Sequence, residues 1–170
     1  SQAPDSSAHR GVVYSIAPSP RSLALIWAGS DDGLVHVTHN AGRSWSDVTP
    51  PALTPWSKVS MLEASHCDTL VAYAAINRFR LDDVSPHVWR TRDGGAHWSN
   101  LTPNIKGLPP ASWVSSISAS PAQAGTAYAT HGVNTIPFLI YYPLFVFQRL
   151  GPLVWAAGDP PVRRLILGAA

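Results

Sequence analysis

Thr38-His39-Asn40-Ala41-Gly42-Arg43-Ser44-Trp45 and Thr91-Arg92-Asp93-Gly94-Gly95-Ala96-His97-Trp98 are two copies of one eight-residue pattern. Each reads as a hydroxyl residue, any residue, Asp or Asn, any, Gly, any, any, Trp. A short Asx side chain accepts hydrogen bonds from backbone N–H groups further along a tight turn, so Asn40 and Asp93 can organise the loop locally. Gly42 and Gly95 suit a backbone that needs positive φ, a region closed to most side chains. Thr38 and Thr91 end the preceding strand with a β-branched residue whose hydroxyl can bond nearby. Trp45 and Trp98 open the next strand and offer large apolar rings for burial between neighbouring sheets.

Outward from these turns the periodicity continues. Val13 to Pro20 (VYSIAPSP), Val59 to His66 (VSMLEASH) and Val114 to Pro121 (VSSISASP) align as three copies of a first strand and its exit. Apolar second strands follow at Ala24 to Ser30, Thr69 to Ile76 and Gly125 to Thr130. Third strands run into the two turns, at Leu34 to Thr38 and His87 to Thr91, and fourth strands leave them, at Trp45 to Pro50 and Trp98 to Pro103. Short strands punctuated by Gly, Pro, Asp and Ser at near-regular spacing predict a sheet-only repeat fold.

The doubled turn resembles the Asp-box, or BNR repeat, which marks the turn between the third and fourth strands of a β-propeller blade in sialidases, sortilin-type receptors and several glycan hydrolases. The resemblance implies an all-β chain, a partial β-propeller with two four-stranded blades plus the start of a third. It also implies a structural role for Thr38, Asn40, Gly42, Trp45, Thr91, Asp93, Gly95 and Trp98. Asn40 replaces the commoner Asp, and His97 stands where the family prefers a hydroxyl. The expected organisation is residues 1–132 as the partial propeller, with blades at about 11–50, 57–103 and 112–132, and residues 133–170 as a divergent or non-repeat tail. Two blades and a fraction cannot close a ring, so the chain reads as a piece of a longer protein whose first partner is the remainder of its own propeller.

Composition agrees and narrows little. Sixteen Pro, twelve Gly and seven Trp with only 13% charged residues favour many turns and aromatic packing over long amphipathic helices. A formal charge of +2 is too small to imply a nucleic-acid surface. Cys67 is the single cysteine, which leaves no internal disulfide to reveal a compartment. No charged-then-apolar leader precedes the first strand in this segment. The repeat register is lost at about Val133, where Thr135 to Phe147 (TIPFLIYYPLFVF) replaces the expected third strand and turn. That run is short of the roughly 20 apolar residues a spanning helix needs, and Gln148 and Arg149 interrupt it, so a membrane span is not expected. A divergent strand pair, or a tail foreign to the repeat through a shifted frame or truncated gene, accounts for it better.

Chemistry is sought in the turns between second and third strands, on the face opposite the Asn40 and Asp93 turns. The first is Ser30-Asp31-Asp32-Gly33; the second is the ten-residue stretch Asn77 to Pro86. Asp31 falls roughly where the resembled propeller endoglucanases place a catalytic Asp, and it is the weak catalytic candidate; Asp-Asp-Gly is also an ordinary hairpin turn. Arg78, Arg80, Asp82 and Asp83 are the ligand-binding candidates, able to present guanidinium and carboxylate groups to an acidic sugar or peptide or simply to pair with one another. The seven histidines lack zinc-like spacing, and no metal or cofactor is expected. Two functions remain from the resemblance. The first is a non-catalytic binding or scaffold propeller of the sortilin-like kind, for a protein, peptide or glycan, at an extracellular or periplasmic location. The second is a glycoside hydrolase using paired carboxylates completed outside this segment.

Overall fold

A computed structural model describes residues 11–105, 112–133 and 147–150. They form eleven strands in three antiparallel sheets, with no α-helix among the described residues. The first sheet is β1 (Val13–Ser19), β2 (Ser22–Ser30), β3 (Val35–Thr38) and β4 (Ser46–Asp47), in that order. The second is β5 (Lys58–Ala64), β6 (Ala72–Arg78), β7 (Asp83–Thr91) and β8 (Trp98–Asn100). In the third, β10 (Ala127–Val133) lies between β9 (Ser112–Ala119) and β11 (Phe147–Leu150). Each complete sheet is therefore a four-strand meander, the form of a propeller blade. Within the stretch 133–170, Phe147–Leu150 pairs with Ala127–Thr130 in the third-strand position; the remainder of the stretch, including the apolar run, lies outside the described residues.

Register follows from which face each residue must bury. Along β2, Leu25, Trp27 and Gly29 turn toward the second sheet while their neighbours are only half-buried or exposed. β6 departs from that alternation: Ala72 to Ile76 are buried without interruption. The reason is that sheets cover both of its faces. Ala72, Ala74 and Ile76 join Trp27, Val35, Val37, Val59 and Leu62 in the core between the first and second sheets. Tyr73 and Ala75 join Val88, Val114, Ile117 and Ala127 in the core between the second and third. Each large side chain so enclosed contributes about 1.5–3 kcal/mol relative to exposure.

The two turns hold themselves by local hydrogen bonds. Thr38 Oγ1 accepts from the Gly42 N–H at 3.0 Å and Asn40 Oδ1 from the Ser44 N–H at 2.9 Å. Thr91 Oγ1 accepts from the Gly95 N–H at 2.8 Å and Asp93 Oδ1 from the His97 N–H at 2.8 Å. Where Asn40 Nδ2 donates to Ser44 Oγ at 2.7 Å, the second turn sets His97 Nδ1 2.7 Å from Asp93 Oδ2. The imidazole thus replaces the hydroxyl as the closing group.

The expected burial of the two tryptophans is met unequally. Trp98 packs against the first core, edge-on to Trp27 with ring centroids 6.1 Å apart, and donates its Nε1–H to Val48 O at 2.7 Å. Trp45 remains 43% exposed, contrary to expectation. The cause is positional: Trp98 reaches back onto the preceding sheet, and the described residues place no sheet before the first. The fourth strand of the first sheet is also shorter than expected, limited to Ser46 and Asp47, with Val48 beyond it donating its N–H to Val35 O at 2.8 Å.

The same asymmetry reaches the turn glycines. Gly42 and Gly95 both have positive φ, 88° and 97°. A methyl at Gly42 would meet nothing nearer than the Trp45 ring at 3.9 Å, but at Gly95 it would lie 2.7 Å from Val48 Cβ. Gly42→Ala is expected to cost about 1 kcal/mol through backbone strain alone, and Gly95→Ala about 1–3 kcal/mol more through overlap with the neighbouring sheet. Urea unfolding of the two variants measures the difference; equal losses would remove the packing argument.

Acid separates the turns as well. The His97 N–H and side chain hold the Asp93 carboxyl at about 2, well below its ordinary 3.8. A group depressed on folding supports the folded turn fully above its unfolded value and loses that support as pH falls through its folded value. The His97 amide is therefore expected to lose exchange protection between about pH 4 and pH 2, while the Ser44 amide, held by the non-titrating Asn40, does not. Amide exchange measured across that range checks this, and Asp93→Asn should abolish the pH dependence.

Candidate functional site

Strand alternation carries the β2–β3 and β6–β7 turns to one edge of the sheets and the Asn40 and Asp93 turns to the other. The structure redraws the longer of the two candidate loops. Residues 77–86 are mostly strand: β6 continues through Arg78, β7 begins at Asp83, and Arg78 faces Asp83 in register. Only Phe79 to Asp82 connects them, as a 3-10 turn closed by Asp82 in the left-handed region, with its N–H donating to Phe79 O at 3.1 Å. The apolar and charged residues that lengthened the expected loop instead extend a hairpin arm.

This arm brings the candidate residues together in two groups. Arg80 Nη1 lies 3.2 Å from Asp31 Oδ2, and the Arg80 guanidinium stacks over the Trp56 ring at 5.4 Å. Asp31 Oδ1 accepts the Val12 N–H at 2.8 Å. That backbone bond, with the help of Arg80, holds the Asp31 carboxyl below the ordinary carboxylate range despite some desolvation. In the second group Asp83 accepts from Arg78 Nη1 at 3.1 Å and from the Ser85 N–H at 3.0 Å, and lies 2.8 Å from His87 Nε2. Partial burial works to raise the Asp83 carboxyl, but the bonds from Ser85 and His87 outweigh it and the net direction is down. Arg78 also reaches Thr54 Oγ1 at 3.3 Å.

The chemistry of this rim is that of fixed, mutually neutralised ions. A general acid for glycoside cleavage needs a carboxyl whose pKa is raised, and Asp31 and Asp83 are both pushed the other way. Asp32 is bonded to the Ser30 hydroxyl. Among the described residues there is no cluster of three or more His, Cys, Asp or Glu side chains that could hold a metal, and no helix long and apolar enough to cross a membrane.

Trp56, Thr54 and His87 belong to the rim but were not among the residues expected there. Trp56 sits at φ 67°, unusual for a bulky residue, and donates its N–H to Asp32 O at 2.8 Å. The signal for it was faint: a Pro-Trp pair in the segment joining two blades.

Asp83 has three hydrogen-bonding partners, whereas the exposed Arg80 guanidinium has one, Asp31, besides the Trp56 ring, so their removal should differ. Arg80→Ala is expected to change stability by about 0–1 kcal/mol, as for an exposed ion pair, and Asp83→Ala to cost about 1–3 kcal/mol by releasing bonds to charged groups. Thermal or denaturant unfolding distinguishes them.

The fold falls in the β-propeller class, and solved propeller structures align with it. A GH74 xyloglucanase from Xanthomonas campestris superposes with a TM-score of 0.52 at 13% identity, over 71% of this chain and 20% of that one. An ancestral GH74 enzyme gives 0.51 at 23% identity over 71% and 16%, and YCF48 from Cyanidioschyzon merolae gives 0.50 at 16% over 71% and 33%. At these identities the likeness is one of fold alone.

Sequence relationship points elsewhere. Residues 110–170 match the family described as pyruvate dehydrogenase E1 component, middle domain. The chain is 56% identical over 45 residues to the pyruvate dehydrogenase E1 component of Cupriavidus necator, covering 26% of this chain and 5% of that protein. It is 53% identical over 51 residues to that of Corynebacterium glutamicum (30% and 6%), and 51% over 45 residues to that of Escherichia coli K12 (26% and 5%). The chain thus spans about one-twentieth of the length of these relatives.

These relatives correct the functional expectation. The non-catalytic sortilin-like scaffold and its glycoside hydrolase alternative both give way, because the sequence relatives are components of an enzyme, pyruvate dehydrogenase. The leaning away from an enzyme falls for the same reason. The extracellular or periplasmic location rested on the propeller resemblance, and it falls with it, because the sequence relatives are bacterial pyruvate dehydrogenase E1 components.

Proposed function

We propose that this chain belongs to an enzyme subunit of the pyruvate dehydrogenase E1 kind, with the relationship carried by residues 110–170 and the first two blade-like sheets attached ahead of it. Two observations support this: identity of about half over some 45 residues to pyruvate dehydrogenase E1 components, and the match of residues 110–170 to the E1 middle-domain family. Identity of that order over 45 residues is far above the 13–23% at which the propeller structures align. Catalysis is a property of the whole enzyme, of which this stretch is a small part, and the rim of Asp31 and Asp83 is assigned no step in it.

The two turns at Thr38–Trp45 and Thr91–Trp98 are proposed as Asp-boxes of the BNR type with a structural role. The bonds from the Thr hydroxyl and the Asx carbonyl to backbone amides two turns running support that reading.

Both relationships meet within a single tryptic peptide. Between Lys106 and Arg149 there is no Lys or Arg, so trypsin leaves residues 107–149 intact, spanning β9, β10 and the start of β11. Mass spectrometry of the protein purified from its native source through an antibody to residues 11–105 is expected to find this peptide, in a fraction with pyruvate-dependent dehydrogenase activity. Recovery of the peptides before residue 107 without this one, and without that activity, would sink the proposal.

A further inference from the structure

Two arginines of the second sheet have no carboxylate among the described residues. The register Glu63, Tyr73, Arg90, Ser99 sets these four residues side by side across β5, β6, β7 and β8, and directly paired antiparallel residues share a face. Tyr73 belongs to the core between the second and third sheets, so this is the face that meets the third sheet. Arg90 is half-buried on it. Arg92, two residues further and just past the end of β7, is exposed at the edge where the Asp93 turn begins. The charges of both arginines act on Tyr73, and that of Arg92 acts on Arg90, so the three side chains form one cluster. Tyr73, 1% exposed, is its floor, and Arg92 is its mouth.

The donors of this cluster are unmet. Tyr73 Oη and Arg90 Nε are both enclosed and make no hydrogen bond. Such groups are costly, and few occur in folded proteins. Burial raises the Tyr73 phenol above its ordinary value, against the opposing charges of Arg90 and Arg92. Burial lowers the Arg90 guanidinium, and the charge of Arg92 lowers it further. Two cations thus share a partly dehydrated site. The chain has ten Asp and Glu residues. All but Asp5 and Asp159 lie among the described residues, and none of these forms an ion pair with Arg90 or Arg92. Glu63, on the other side of Tyr73, is directed instead to the Ala119 N–H at 3.3 Å and to His66 at 3.7 Å.

We propose that Tyr73, Arg90 and Arg92 form a binding site for a phosphate group, entered from the edge of the sheets that carries the Asp93 turn. Charge and donor number select phosphate. Its charge of about −1.5 to −2 near neutral pH balances two guanidiniums, which the single charge of a carboxylate does not. Guanidinium forks match phosphate oxygens in pairs, and a further oxygen remains to accept the Tyr73 O–H. A carboxylate from another part of the polypeptide would neutralise one arginine and leave the other charge unbalanced. The free ion and a phosphate monoester share the required chemistry. Both walls of the site, the second sheet and β9 of the third, are described, so the site sits between two sheets of this chain rather than at either end of it. It is independent of the enzyme assignment.

Titration calorimetry of the 170-residue chain with inorganic phosphate at about pH 7.5, where the dianion prevails, is expected to show one saturable site against chloride at matched ionic strength. Glycerol phosphate in the same assay identifies the preferred form, the ester if it binds more tightly and the free ion if it binds less. Arg90→Gln and Arg92→Gln should each weaken binding by about tenfold or more, as for lost charge-assisted bonds. Arg43→Gln, at an exposed arginine in the equivalent turn of the first sheet, should leave it unchanged. If Arg90→Gln does not fold, the exposed Arg92 position still decides. Tyr73→Phe separates binding from folding: removing an unpartnered hydroxyl should leave the Tm without phosphate unchanged or higher, yet weaken phosphate binding. Acetate binding as tightly as phosphate would overturn the proposal, as would phosphate binding that the Arg92→Gln and Tyr73→Phe variants retain in full. So would a failure of phosphate to bind the 170-residue chain or the protein purified from its native source, which would mean that another segment of the polypeptide covers the two arginines.

Discussion

Everything in the described structure depends on one sheet having two buried faces. β6 carries Ala72, Ala74 and Ala75, and these small side chains let sheets approach from either side closely enough to enclose Trp27, Leu62 and Trp98 on one flank and Tyr73, Val114 and Ile117 on the other. A larger residue at these positions would have to displace a neighbouring strand, because close-packed interiors leave no slack. The turns serve that packing. By fixing the exit from β7 with Asp93 and Thr91, the second turn aims Trp98 at Val48 and lets its indole N–H find a carbonyl on the neighbouring sheet.

The chain carries two relationships of different strength over different residues. Sheet packing binds residues 112–133 to the blades before them, through Val114, Ile117, Ala127 and Ala129. The family match begins at residue 110 and so includes the same strands. The overlap is physically permissible, because a blade's first two strands ask only for alternating apolar residues and a tight turn, a demand many sequences meet. High identity over 45 residues asks for far more. For that reason the enzyme relationship weighs on function, and the propeller likeness weighs on fold.

On the rim, charged pairs tie the edges of the sheets together. Arg80 crosses from the second sheet to Asp31 of the first, while Arg78 and His87 close on Asp83 within their own hairpin. Half-buried Glu63 plays a comparable part deeper between sheets: burial raises its carboxyl, and it accepts the Ala119 N–H of the third sheet at 3.3 Å. Asp31, Asp83 and Glu63 each accept from a donor on another strand, Arg80, Arg78 and Ala119 in turn, the arrangement expected of staples.

Most of the secondary structure was legible in the residues. Alternation in Ser22–Ser30, three aligned Val-initiated first strands, and two Thr-x-Asx-x-Gly-x-x-Trp turns act over a few residues, so spacing alone exposes them. The third-strand place of Phe147–Leu150 was not, since a four-residue strand has no period to read. Pairing across sheets was hidden as well. Nothing in the sequence distinguishes Trp45 from Trp98, yet one is 43% exposed and the other is wedged against Trp27, because burial depends on whether a sheet lies in front. The same holds for Asn77 to Pro86: its polar residues read as a loop, and only the opposing register of Arg78 and Asp83 made it a hairpin. Local hydrogen bonding determined the turns and strands from sequence, whereas the partners of each buried face, and the Arg80 partner of Asp31, come from segments some fifty residues apart, and only the assembled sheets could select them.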